Sequence, residues 1–255
     1  MVVKHIQRKL QEKSEKHTEM LRNLGLVAAK VELPPNVYVM PSTPQFVGMN
    51  TILQTPETEK DDFVFYFDRL ASILIEKYVL PRHISFLYIN LESPRALDMS
   101  PYDSTTVETP QGNQYLGLNP RGIVSAVAIL RGGSCLETAL KRTIPDCITG
   151  RLLIQTDESS SEPELHYLKV QPGIEDHSMV MLLDPQMTSG GAALMAVRVL
   201  IDHGVQEDRI VFVTCAAGET GLKRLTAVYP KIKVVVGRIE DEGEPRWMEK
   251  RYFGC

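Results

Sequence analysis

Three things are scarce in these 255 residues: long apolar runs, closely spaced cysteines and an excess of positive charge. No stretch of about eighteen consecutive apolar residues occurs, so no membrane-spanning helix is expected. Cys135, Cys147, Cys215 and Cys255 stand too far apart for a zinc motif or a small disulfide scaffold. They read as reduced thiols of a cytoplasmic protein, with Cys135 a small packing residue. The formal net charge of −4 argues against general nucleic-acid binding. The opening MVVKHIQRKLQEKSEKH is charged throughout and lacks the apolar core of a signal peptide. Internal repeats and low-complexity tracts are missing as well. At this length the chain buries a full core, as one domain or one domain with appendages.

What is present centres on residues 180–195, VMLLDPQMTSGGAALM. Val180 to Leu183 make a short buried strand, and Asp184 sits where it ends. Thr188, Ser189, Gly190 and Gly191 form a small turn, and helical spacing starts at Ala192. A strand, an acid, a Ser/Thr/Gly loop and a helix N-terminus together form a phosphate cradle: backbone N–H groups point at the anion and the helix dipole favours it. The acid suits a ribose hydroxyl or the outer shell of a metal ion. The glycine spacing fits no dinucleotide fingerprint, and the missing lysine argues against an ATP-type P-loop. A plain strand–turn–helix junction has the same local pattern.

Around this segment the chain alternates between strand and helix. Strands are expected at Ile123–Leu130, Leu152–Gln155, Met179–Leu183, Ile210–Thr214 and Ile232–Val236, with an extended arm at Leu165–Val170. Helices are expected at Leu136–Arg142, 192–203 and Thr220–Tyr229. That alternation implies an α/β fold, a parallel sheet covered by helices on both faces, with ligands beyond the carboxyl ends of the strands. Arg131, Asp184, Ala216 and Gly237 are then expected on one rim. Nearer the N-terminus, residues 2–24 read as a basic amphipathic helix, 32–50 as a proline-rich extended segment, and 61–77 as a helix. Phe63, Phe65, Tyr66, Leu70, Ile73, Leu74 and Ile75 give that last helix a wide apolar face.

The loop resembles the phosphoribosyl diphosphate (PRPP) loop of type I phosphoribosyltransferases, and Asp-Pro after the apolar run resembles the DPMLATGGS of uracil phosphoribosyltransferases. Further segments match in order. ILRGG (129–133) looks like ILRAG, VETPQGNQYLGL (107–118) like the ETPxG hairpin, and GRLLIQTDESSSEPELHYLKV (150–170) like the mobile loop and its following strand. ILRGGSCLETALKRTIPD, LLIQTDE and EPELHYLK are similar to the phosphoribosyltransferase-like half of fungal two-part uridine/cytidine kinases, and the opening residues look like the end of the kinase half. The resemblance implies a type I phosphoribosyltransferase-like sheet with a β-arm and an N-terminal helix. It divides the chain into a helix and linker over 1–44 and a phosphoribosyltransferase-like domain over 45–255. Residues 78–95 interrupt the pattern as an inserted surface loop. The ends of the insert are compatible with splice-site codons, as in a small retained intron translated as protein.

The implied reaction joins uracil to PRPP, giving UMP and pyrophosphate, with Mg²⁺ carried by PRPP and no direct protein ligand for the metal. Asp184 and Arg131 are the implied catalytic residues. Thr188, Ser189, Gly190, Gly191 and Ala192 take the 5′-phosphate. Arg131, Gly132 and Asp157 face the pyrophosphate, and Arg238, Ile239, Phe253 and Gly254 lie on the base side. Expected partners are PRPP, a pyrimidine base or nucleotide, a uridine kinase domain and a second copy of the chain, with no nucleic acid and no membrane.

The chain also departs from the family pattern. Thr156 stands where the mobile loop carries an arginine before the acid, and Ala192 replaces a serine. Each lost contact to a charged group weakens binding by roughly 1.5–3 kcal/mol. The base-reading stretch resembling PGxGDxGDRxFG is replaced by EDEGEPRWMEKRYFGC, in which Lys250 stands at an expected acid. Trp247, the only tryptophan, is expected to pack the C-terminal tail on the sheet or to fill the vacated base pocket. A second reading therefore stands beside the enzyme: a catalytically degenerate nucleotide-sensing or oligomerisation domain of a uridine/cytidine kinase.

Overall fold

The computed structural model describes residues 33–76, 101–156, 162–241 and 245–254. The helix expected over 2–24, the insertion at 78–95 and Asp157 lie outside the described residues. The chain divides into two units, Met1–Leu33 and Pro34–Cys255.

Near-continuous apolar runs build the centre of the sheet. These are β4 (Val124–Leu130), β7 (Met179–Leu183) and β9 (Ile210–Gly218); β7 and β9 are buried at every position. Strands of this kind are covered on both faces, as in parallel sheets. To one side of β9 lie β10 (Lys233–Glu240) and then β1 (Val37–Val39). Beyond β4, on the other side, lie β5 (Ile148–Thr156) and β6 (Pro163–Lys169). The order is β1-β10-β9-β7-β4-β5-β6, parallel except for the antiparallel β5–β6 edge. The two-residue β8 (Gln186–Met187) pairs with β9 beyond the end of β7. A separate hairpin joins β2 (Tyr102–Glu108) to β3 (Gln114–Pro120), with Gly112 at φ +80° in its turn. This hairpin includes the 107–118 segment. No helix among the described residues is long and apolar enough to cross a membrane.

The fold is the parallel α/β sheet expected from the sequence, with three local differences. First, Pro44–Gln54 is a helix, α1, where an extended segment was expected up to residue 50. Pro44 takes the first turn of this helix, where its missing N–H costs nothing, and the Thr43 hydroxyl accepts from the Phe46 N–H as an N-cap. Second, α2 (Lys60–Ile75) buries a different face from the one expected, with Phe67 in the core in place of Phe65. Phe63, Phe67, Leu70, Leu74 and Ile75 are buried, whereas Phe65 is 57 % exposed and packs edge-on to Tyr66 beside Arg69. Third, β9 and β10 run four residues further than expected, so Ala216 and Gly237 lie within strands, not after them.

Phe67 of α2 lies between Phe63 and Tyr252, with ring centroids 6.0 and 5.1 Å away. It is fully buried. Phe67→Ala is expected to cost about 3–5 kcal/mol in denaturant unfolding, through lost transfer energy and the cavity left behind.

Candidate functional site

At the carboxyl end of β7, the Asp184 N–H donates to the Val213 carbonyl at 3.2 Å, which fixes the acid at the sheet centre. Gln186 and Met187 then pair with Ala216 and Ala217 as β8. This places Thr188 to Gly191 over the start of α4 (Gly191–Asp202), with Gly190 as N-cap at φ +80°. No side chain caps α4 and no acid lies in its first turn. Its free amides and dipole are left to an anion. The loop is held by close backbone packing against α5 (Glu219–Val228): a Cβ on Gly221 would collide with the Thr188 carbonyl. Ser189 faces solvent, Thr188 and Ala192 are half-buried, and Gly190 is buried.

The end of β4 meets the same rim. The Leu130–Arg131 peptide is cis, and a short 3-10 turn, Gly132–Leu136, leads into α3 (Glu137–Thr143). Gly132 packs so closely that a Cβ there would lie 3.3 Å from Asp184 Oδ1. Gly133 admits no side chain at all, because its Cβ would strike the Leu183 carbonyl. Arg131 is exposed, and its guanidinium makes no hydrogen bond or ion pair among the described residues. Together with Leu130, Ser134 and Phe253 it lines an open hollow of about 340 Å³. Arg131, Gly132, Asp184 and the phosphate loop thus share one rim. Asp157 lies outside the described residues; Thr156 pairs with Pro163 at the β5–β6 edge, and Pro163 lies beside Gly191.

The base-side residues divide. Arg238 pairs with Glu240 at 2.5 Å, and its Nε is buried with no hydrogen-bond partner among the described residues. Ile239 is a strand residue opposite Ala217. Phe253 borders the hollow beside Arg131. Gly254 closes the last helix, α6 (Met248–Phe253), at φ +75°.

Residues beyond those expected complete the rim. Arg246, immediately before α6, forms a bidentate pair with Asp184: Nη2 to Oδ1 at 2.6 Å and Nη1 to Oδ2 at 3.0 Å. Its Nε donates to Glu249 Oε1 at 3.2 Å. Asp184 is 1 % exposed. Burial holds its carboxyl above the ordinary range, and Arg246 offsets this only in part. Burial would lower the Arg246 guanidinium, but the Asp184 and Glu249 carboxylates outweigh it and hold that guanidinium charged. Gln186, fully buried, secures the same segment. Its Oε1 accepts from the Trp247 and Met248 N–H groups at 2.9 and 3.4 Å, and its Nε2 donates to Glu240 at 2.8 Å and to the Pro245 carbonyl at 3.3 Å. Trp247 packs edge-on against Phe63 of α2 at 6.0 Å, so its main aromatic partner is a helix. The only sequence signal for Arg246 was its place beside the single tryptophan in the stretch that departs from the family pattern.

The sheet order, with this loop at the central strand, defines a type I phosphoribosyltransferase fold. The family model for uracil phosphoribosyltransferase matches residues 39–246. A uracil phosphoribosyltransferase of Dictyostelium discoideum is 36 % identical over 222 residues, covering 86 % of this chain and 91 % of that protein. Uridine-cytidine kinase-like 1 of Mus musculus is 35 % identical over 243 residues, covering 94 % of this chain but 40 % of that protein. A uridine kinase of Saccharomyces cerevisiae is 33 % identical over the whole chain, which spans half of that protein. Among solved structures, the AQ2163 protein from Aquifex aeolicus superposes with a TM-score of 0.68 at 19 % identity, covering 86 % of this chain and 98 % of that one; this likeness concerns the fold alone. The chain belongs to the uracil phosphoribosyltransferase family.

Gln186→Ala removes the acceptor that holds Trp247 and Met248. It is expected to cost about 1–3 kcal/mol and to shift the single tryptophan's emission to longer wavelength as the C-terminal segment loosens. Denaturant unfolding and fluorescence check both.

Proposed function

We propose that this chain is the phosphoribosyl-binding domain of a pyrimidine-salvage protein, of the kind joined to a uridine kinase. Its ligand is PRPP with its own Mg²⁺, or a pyrimidine nucleotide. The observation that carries this reading is the uncapped N-terminus of α4, with the Thr188–Gly191 loop braced by Gly221 beside Asp184. The loop amides take the 5′-phosphate and Asp184 faces the ribose hydroxyls. Arg131 and the Gly132 turn take the diphosphate, for which an exposed guanidinium at a strand end is well suited. The relatives named as uridine kinases support the link to a kinase.

A second reading is full turnover, uracil plus PRPP giving UMP and pyrophosphate. It is favoured by the hollow between Arg131 and Phe253, which has an apolar wall and a cation in reach of a flat base. In that reaction the bond from ribose C1 to the diphosphate breaks with its electron pair leaving on the diphosphate, positive charge builds on the ribose ring, and the base nitrogen bonds to C1 as its proton passes to solvent. Asp184 would steady that charge and Arg131 the leaving diphosphate. Against turnover stand Thr156 in the place of an arginine and the loss of the glycine-rich base-reading stretch. A site that reads a base by hydrogen bonds loses discrimination steeply without its donors and acceptors.

Calorimetric titration of PRPP with Mg²⁺, with and without uracil, followed by an assay for UMP, separates the readings. Binding without UMP is the expected result, UMP formation supports the second reading, and failure to bind refutes both. Thr156→Arg is expected to tighten PRPP binding about tenfold or more, as one restored charge-assisted contact implies. The same titration measures it.

A further inference from the structure

The acid that faces the ribose is already occupied. Arg246 presents two parallel N–H donors to both oxygens of Asp184. A ribose offers the same acid two adjacent hydroxyl donors, so guanidinium and diol compete for one carboxylate. The guanidinium also fills the gap towards the diphosphate turn: Nη2 lies 2.7 Å from the position a Gly132 Cβ would take. With Arg246 in place Asp184 is sealed from solvent, and no ribose reaches it.

We infer that residues 245–248 form a strap that closes the ribose subsite with Arg246, and that a ribose-bearing phosphate binds only when the strap withdraws. This rests on the phosphoribosyl-binding reading above. The strap has a latch, the Gln186 Oε1 that receives the Trp247 and Met248 N–H groups. It has a separate anchor further along. Arg251 donates to the carbonyls of Leu53, Thr55, Pro56 and Thr58, and Lys60 holds the Phe253 carbonyl at 3.1 Å. The anchor lets the latch open without freeing the whole of α6. Among the described residues no hydrogen bond joins Thr188–Gly191 to residues 245–248, so an anion with no ribose needs no opening. Closure also removes negative charge from the site, because Arg246 neutralises the carboxylate that would steady a cationic ribose.

Trp247 sits on the strap and is the chain's only tryptophan, so the wild-type protein carries its own reporter. The test titrates wild type and Arg246→Ala with inorganic phosphate, ribose 5-phosphate and Mg²⁺–PRPP, reading heat and tryptophan emission together. In wild type, the ribose phosphates are expected to shift emission to longer wavelength and inorganic phosphate to bind without a shift. Arg246→Ala, checked for folding by circular dichroism, is expected to bind PRPP at least about tenfold tighter. Binding by the variant alone supports the strap too. PRPP binding to wild type with unchanged emission, or equal affinity of the two proteins, overturns the strap and leaves the phosphoribosyl-binding reading standing. If neither protein binds phosphate or PRPP, both fall. Should the variant fail to fold, the wild-type emission decides.

Discussion

A carboxylate taken out of water needs a counter-charge, and the carboxyl rim of this sheet is arranged around that need at Asp184. The acid sits at the end of the central strand, with its N–H tied to β9 and its carboxyl at 1 % exposure. An unpaired charge there would be strongly destabilising. Arg246 supplies the counter-charge from 62 residues away. Drawing that arginine inward brings with it the Trp247 contact on α2 and the start of α6. Gln186, two residues past the acid, holds the incoming backbone. Removing that carboxylate would leave the Arg246 guanidinium without its bidentate partner and loosen residues 245–248, while Arg251 still ties α6 to the carbonyls of Leu53, Thr55, Pro56 and Thr58.

The other half of the rim is built on a different principle. The phosphate loop owes its shape to backbone contacts that exclude side chains: Gly221 against the Thr188 carbonyl, and Gly190 in the left-handed region. Its donors are amides already fixed by α4, so no side chain moves to receive an anion. The diphosphate turn is shaped the same way, with Gly133 pressed on the Leu183 carbonyl. The candidate site thus joins a preformed backbone loop, with Arg131 exposed at its edge, to a carboxylate held by the protein's own guanidinium.

The sequence made the first half legible and hid the second. Val180–Leu183, the acid, the glycine turn and the following helix declare themselves through local pattern, because apolar runs and glycines are local signals. The segment 44–54 misleads because proline marks both loops and first helical turns, and only the Thr43 cap separates the two. The face of α2 was placed on Phe65 and missed Phe67, two phenylalanines alike in sequence of which helical geometry buries only the second. Arg246 could not be paired with Asp184 from spacing, since nothing local links residues 62 positions apart. The buried Gln186 was equally silent, because its partners are backbone groups of a segment distant in the chain.

The most direct measurement is a crystal structure of the chain with ribose 5-phosphate bound. The account predicts the phosphate on the amides of Thr188 to Gly191, the ribose hydroxyls on Asp184, and Arg246 displaced from that carboxylate. A sugar phosphate seated elsewhere, or seated in the loop with the Arg246–Asp184 pair intact, would contradict it.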